Sequence, residues 1–298
     1  MAGCESQSCT SLSDADLIRQ VDDQLQTLLE AVDLPGNLRD AIHYALFSGG
    51  KRVRPLMVLR CCQAVGGDLK NALPAAGAIE LIHCFSLVHD DLPAMDDDDL
   101  RRGRPTLHKH TNEAMAILAG DAMTTLAFQL LTQWHKDGEL AAALVHVLSS
   151  ATRSMIAGQV YDTMGGFQDG LSDHQKLLQI HREKTGALLT ASAHMGSLSG
   201  GGSPAQTAAL VEYADHLGLM FQAVDDLLDV TQSSDKMGKA TGKDAAAGKL
   251  TYPGLMGVDG TRQEIARLLE VSLAAIAGFG PPADPLRGLA HKLAARQH

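Results

Sequence analysis

Apolar residues return at helical spacing along almost the whole chain, and this periodicity limits the fold more than any other feature. Leu17, Ile18, Val21, Leu25, Leu28, Leu29 and Val32 mark one face of a first helix, with Ser13 placed to cap it. Further helical stretches are expected near 37–48, 54–65, 74–91, 110–135, 138–157, 173–198, 204–232, 261–278 and 285–296. The second and third stop at the pairs Gly49-Gly50 and Gly66-Gly67. Alternating Val, Ile, Thr and Tyr segments are absent, and aromatic residues make up 4% of the chain, so no sheet is expected. No Pro-rich linker, composition shift or fixed repeat divides the 298 residues, which read as one all-α domain.

Two segments depart from this pattern. Residues 1–12 are polar and read as a mobile tail without the basic start and apolar run of a signal peptide. Gln232–Pro253 is rich in Gly, Lys and Ser, has no apolar period and reads as a flexible lid loop. The five cysteines are odd in number and lack a CxxC pair, which fits reduced thiols and a cytoplasmic protein better than a disulfide framework. A net charge of −10 argues against nucleic-acid binding, since a basic face is needed to displace counterions. No apolar run approaches the ~20 residues that span a bilayer, so no membrane span is expected.

Charge is concentrated in HDDLPAMDDDDLRRGRP, His89–Pro105. Pro93 pushes the preceding residue out of the α region, so the fourth helix should end near Leu92. Asp90 and Asp91 then sit in its last turn, where the helix dipole disfavours carboxylates by up to about 1 kcal/mol each. The loop after Pro93 can fold Asp96 back towards Asp90. A solvated acidic loop neutralised by Arg101, Arg102 and Arg104 is the plain alternative. An EF-hand fits badly, because Arg101 and Leu107 stand where glycine and glutamate are needed.

A second cluster, FQAVDDLLDV, places Asp225 and Asp229 at i and i+4 on one helix face, with Asp226 beside them. These aspartates interrupt an apolar run, so Asp225 is expected to face the interior or a cavity, where carboxylates require partners or metals. Mg2+ takes one or two carboxylates and completes its shell with water and phosphate, so two facing clusters suit a diphosphate gripped through Mg2+. Cationic donors are available in GGKRVRP (Lys51, Arg52, Arg54), in Arg101 and Arg102, in Lys184 of HREKTGALL, and in Gly-Lys pairs at Lys239, Lys243 and Lys249. Each alone would pass for a surface charge. No P-loop is present: five residues separate Gly242 from Gly248, and Leu250 follows Lys249. His108 and His110 lack the HExxH metal spacing.

Together these motifs resemble the trans-isoprenyl diphosphate synthase family, and within it the bacterial farnesyl diphosphate (geranyltranstransferase) type. GGKRVRP, SLVHDDLPAMDDDDLRRGRPT, AGDAM, EKTGALL, FQAVDDLLD and GKDAAAGKLTYP occur in the family's order, from Gly49 to Pro253. The resemblance implies an isoprenoid-synthase helical bundle around a central cavity, a homodimer, and three Mg2+ ions once diphosphate is bound. It assigns Asp90, Asp91 and Asp96 to one metal motif and Asp225, Asp226 and Asp229 to the other. It places Arg101 on the allylic diphosphate, and Lys51, Arg54, His83 and Arg102 around isopentenyl diphosphate. Lys184, Thr185, Gln222, Lys239 and Lys249 fall around the allylic diphosphate and the developing cation, with Gln159 near the tail. Phe85, five residues before Asp90, is expected to floor the tail cavity at fifteen carbons, with Cys84, Met123 and Phe128 as further shapers. The expected product is (2E,6E)-farnesyl diphosphate. Geranylgeranyl diphosphate, a terpene cyclase or a non-catalytic partner subunit are the alternatives.

Overall fold

Ser13 begins the fold by accepting the amide of Asp16 through its hydroxyl, which caps the first helix as its position suggests. The structure is a computed structural model that describes residues 12–134, 137–235 and 249–296, without the side chains of 232–235. The helices are α1 (Asp14–Ala31), α2 (Gly36–Leu46), α3 (Val53–Ala64), α4 (Leu69–Asp90), the short α5 (Leu107–His110), α6 (Glu113–Trp134), α7 (Gly138–Met164) and α8 (Asp173–Ile180). A π-helical turn, His181–Gly186, leads into α9 (Ala187–Ser199), followed by α10 (Pro204–Asp235), α11 (Tyr252–Ala275) and α12 (Asp284–Ala294).

Several boundaries differ from the sequence expectation. α4 starts at Leu69, capped by Asp68, and carries Pro74 inside it. Proline there removes one N–H that would have served the carbonyl of exposed Lys70, a loss that water can make good. The expected helix 173–198 is broken by the π turn. The expected 232–253 loop is shorter at both ends: α10 runs on to Asp235, and Thr251 caps α11 by accepting the amide of Gly254. Gly257, at φ 74° and ψ 170°, kinks α11. β1 (Leu100–Arg101) and β2 (Arg104–Pro105) form a two-residue hairpin that periodicity is too coarse to show. Residues 1–11 and 236–248 of the expected tail and loop, including Lys239, lie outside the described residues.

The apolar faces bury into two clusters. One gathers around α4, with α1, α2, α6 and α7; the other gathers α10, α11 and α12. α3 and α9 form the seam. On α3, Val58 belongs to the first cluster and Met57 to the second; on α9, Leu188 and Leu189 divide likewise. The two seam helices touch backbone to backbone: a Cβ on Gly196 would meet the Val58 carbonyl and lie 2.9 Å from Cys61 Cβ.

Arg52 fastens the first half together. It holds a left-handed φ of 47° before α3 and turns inward. Its Nη1 donates to Glu80 of α4 at 2.7 Å, Nε to Asp22 of α1 at 3.0 Å, and Nη2 to the Leu46 carbonyl at 2.7 Å. Cys61, Cys62 and Cys84 are free and buried; burial pushes the thiols of Cys62 and Cys84 up to about 12, and Cys61 higher. α4, α6 and α7 are long and apolar enough to cross a bilayer by length and composition alone, but α4 spends that apolarity on the core, where 72% of its most apolar window is buried.

Candidate active site

The C-terminus of α4 delivers the first acidic cluster. The amide of Leu92 donates to His89 and that of Met95 to Leu92, turning the chain at Pro93. The Asp96 amide then donates to the Asp90 carbonyl at 2.9 Å, so Asp96 returns to Asp90 as expected from Pro93. Burial pushes the Asp90 carboxyl up to about 6, with Lys184 opposing and Asp96 adding to the rise. Asp91 points elsewhere. Its buried carboxylate takes Arg101 Nε at 2.8 and 2.9 Å and Nη2 at 2.5 Å. Asp91 therefore orients Arg101 rather than joining Asp90.

The β1–β2 hairpin carries Arg102 back over the glycine pair. Arg102 sits at φ 55° and donates to the Gly49 carbonyl. Gly50 holds a φ of 128°, which side chains rarely adopt, and the Arg102 guanidinium packs where its Cβ would be. Beneath it, Lys51, Arg54, His83, Arg102, Thr185 and Arg296 line a cavity of about 590 Å3. Arg54 Nη1 lies 3.2 Å from His83 Nε2. Burial, reinforced by Arg54 and Arg102, holds the His83 imidazole well below its ordinary range, so it is neutral and accepts from Arg54. Arg54 Nε is buried with no hydrogen-bond partner. A guanidinium with an unsatisfied N–H beside a further arginine is an anion site. Arg52, from the same GGKRVRP motif, is spent on the fold.

A second cavity, of about 540 Å3, lies next to the first and shares Arg54, His83 and Thr185 with it. Asp90, Lys184 and Gln159 contribute polar groups; Phe85, Leu92, Met95, Met155, Ile156, Val160 and Leu188 make the wall apolar. Phe85 is thus part of the wall. Met123 is instead buried in the core, Phe128 packs against that core, and Cys84 lines a small separate pocket.

The far side is built by the π turn and α10. Lys184 Nζ donates to Asp162 Oδ2 of α7 at 2.5 Å, and Lys249 Nζ reaches the same oxygen at 3.7 Å. Gly158 lets the turn approach, since a Cβ there would lie 2.6 Å from the Glu183 carbonyl carbon. Asp225 accepts from Arg296 Nη1 at 2.6 Å; burial raises its pKa, while Arg296 and Lys51 lower it. Asp226 is buried and accepts the Tyr252 amide at 2.9 Å, with His181 Nε2 at 3.5 Å, so it anchors the start of α11. Gln222 and Asp229 are half-buried on the face of α10 that carries Asp225. Among the described residues, no three His, Cys, Asp or Glu side chains gather into a metal cage.

Asp162, Glu80 and Arg296 escape sequence reasoning. Asp162 had a faint signal, an acid three residues after Gln159 at the end of a largely apolar helix; Arg296 had none.

The Polyprenyl synthetase family model matches residues 35–275. The chain is 42% identical to geranylgeranyl pyrophosphate synthase 11 of Arabidopsis thaliana over 292 residues, 95% of this chain and 82% of that one. It is also 42% identical to a farnesyl diphosphate synthase of Geobacillus stearothermophilus over 284 residues, 93% and 95% of the two chains. A crystal structure of a geranyltransferase from Legionella pneumophila superposes with a TM-score of 0.83 at 34% identity, covering 94% of this chain and 95% of that chain.

Proposed function

The chain belongs to the polyprenyl synthetase family and is a prenyltransferase, and on that footing we propose that it condenses isopentenyl diphosphate with dimethylallyl and geranyl diphosphate to give (2E,6E)-farnesyl diphosphate. The observation that carries the reading is the shared wall of Arg54, His83 and Thr185 between a cavity lined by Lys51, Arg54 and Arg102 and an apolar cavity with an acid at its polar edge. One reactant needs only a diphosphate site. The other needs a diphosphate site and room for a tail.

The residues fit Mg2+. Asp90 is partly desolvated, with its pKa raised mainly by burial, exposed Asp96 is folded back beside it, and Asp225 offers a carboxylate from the second cluster. Among the described residues the carboxylates come as separate small groups, which suits an ion that completes its shell with phosphate oxygens and water. When bound, Mg2+ supplies charge neutralisation on the leaving diphosphate. Asp91 serves by aiming Arg101, and Asp226 by fixing Tyr252.

The allylic diphosphate takes Lys184 and Lys249 from Asp162, and Lys239 is assigned to it by the resemblance alone. The C–O bond breaks with its electron pair going to the diphosphate oxygen. The Thr185 hydroxyl and the Gln222 carbonyl oxygen face the allylic cation, where oriented dipoles in a dry cavity are most effective. The double bond of isopentenyl diphosphate, held by Lys51, Arg54 and Arg102, attacks that carbon. The departed diphosphate then accepts the proton, so no protein base is required. Neutral His83 keeps Arg54 in place.

Phe85 closing the apolar wall favours fifteen carbons. Relatives named for the twenty-carbon product make geranylgeranyl diphosphate the second reading. The test is product analysis with Mg2+, labelled isopentenyl diphosphate and each allylic starter, with Asp90→Ala and Phe85→Ala alongside. A fifteen-carbon product, lost in the first variant and lengthened in the second, supports the assignment. A twenty-carbon wild-type product would leave the chemistry and overturn the floor. Cyclised product without isopentenyl incorporation indicates a cyclase, and no turnover from any starter a partner subunit. A cytoplasmic homodimer is part of the same proposal, checked by light scattering.

A further inference from the structure

His89 stands between the acidic cluster and the tail cavity, and the chemistry above leaves it without a role. It is the residue before Asp90, and like Phe85 it lines the apolar cavity. Its ring meets Phe85 edge to face, at 5.5 Å between centroids and 84° between planes. Its Nε2 lies 3.1 Å from the Ile117 carbonyl of α6. A carbonyl only accepts, so Nε2 carries the proton and donates. The ring fits there only because residue 120 is glycine. A Cβ on Gly120 would overlap His89 Nε2 and come within 2.6 Å of Cδ2 and 2.8 Å of Cε1. Phe85, His89 and α6 thus form a chain of contacts: the helix holds the imidazole, and the imidazole holds the phenyl ring.

We propose that His89 is a specificity-determining positioning residue, seated in the notch left by Gly120 and bonded to the Ile117 carbonyl so that it braces the Phe85 ring as the end-stop of the tail cavity. The inference rests on the prenyltransferase reading and deepens it, since product length then depends on a contact between α4 and α6 as well as on Phe85. An edge-to-face contact is the arrangement aromatic rings prefer, so the imidazole holds the phenyl ring in one orientation. The bond to α6 removes the imidazole's own freedom. Without the brace, Phe85 can swing aside. With the notch filled, the imidazole is forced off α6 into the cavity.

The two perturbations therefore act in opposite directions. His89→Ala should lengthen the product, and Gly120→Ala should shorten it. His89→Gln keeps an N–H donor at similar reach and should stay near the wild-type distribution. Two readouts are needed: the ratio of twenty- to fifteen-carbon product from geranyl diphosphate, and calorimetric affinity for unreactive thiolodiphosphates with ten-, fifteen- and twenty-carbon tails. Both ratios should rise by about tenfold in His89→Ala and fall comparably in Gly120→Ala, the discrimination that a methylene-scale change in an apolar pocket provides. Unchanged ratios in folded His89→Ala would overturn the proposal. If Gly120→Ala fails to fold, the His89 pair decides alone. If the wild type elongates nothing while the affinity ratios still move as stated, the proposed reaction fails and the brace stands.

Discussion

Asp90 shows what a functional carboxylate costs a fold. Its pKa rises from 3.8 to about 6 because burial penalises the charge more than Lys184 relieves it. That difference corresponds to about 3 kcal/mol of stability. The sign follows from a folded pKa above the unfolded one: the contribution is complete below about pH 4 and lost as pH rises through about 6. In the metal-free, ligand-free protein, Asp90→Asn should therefore be more stable than wild type near neutrality, with the two converging near pH 4, while condensation is abolished. Urea denaturation at several pH values measures this, and an unchanged gap across that range would rule it out. Arg54 makes the complementary case. Arg54→Gln removes a guanidinium whose Nε has no partner. A charged hydrogen bond is worth about 1.5–3 kcal/mol. The KM for isopentenyl diphosphate should rise by about 10–100-fold, with a much smaller change for the allylic starter in steady-state kinetics.

Among the elements, the π turn His181–Gly186 matters most, because it brings Lys184 to Asp162 and Thr185 to the wall shared by both cavities. Its seat is Gly158. Gly158→Ala would push a methyl against backbone, which cannot rotate away, so the turn must move. Overpacking of this kind costs about 1–3 kcal/mol. Condensation should fall further than stability does, because Lys184 and Thr185 shift together; turnover and thermal unfolding of one preparation compare the two. The same element marks the limit of sequence reading. Period and caps revealed α1 with its Ser13 cap, and Pro93 revealed the return of Asp96 to Asp90. The π turn, HREKTG, is a single short polar turn between two apolar helical stretches, too brief to interrupt their period, so nothing local separates it from α8 and α9. Its cause is the approach of α7 at Gly158, a contact between distant residues. Charge likewise could not say which member of a pair turns inward. Arg52 and Arg54 look alike in GGKRVRP, as do Asp90 and Asp91 in HDD, yet Arg52 and Asp91 are tied to Glu80 and Arg101 while Arg54 turns to His83 and Asp90 to the tail cavity. Partners decide this, and Glu80 and Asp22 are far away in sequence.

Across the whole molecule, the Arg52 node ties α1, α2 and α4 beside the anion cavity, so the site depends on helices that contribute no reacting group. Breaking a buried ion pair on one side costs about 3–5 kcal/mol, because a charge is left behind. Arg52→Met should destabilise by that order and loosen Lys51 and Arg54 with it. The double variant Arg52→Met/Glu80→Leu should recover a large part, and a double-mutant cycle by urea denaturation reads the coupling. A full additive loss would show that the pair is not coupled. The buried thiols at the seam and on α4 give the fold a chemical clock. Only a thiolate attacks an alkylating reagent, and with thiols held near 12 or above inside packed helices, Cys61, Cys62 and Cys84 carry almost none at neutral pH. Their modification by a maleimide must wait for the helices to part. Peptide-resolved labelling of Cys61 and Cys62 against Cys84 would therefore time how often the seam opens relative to α4, and whether the two halves come apart as one unit or in turn.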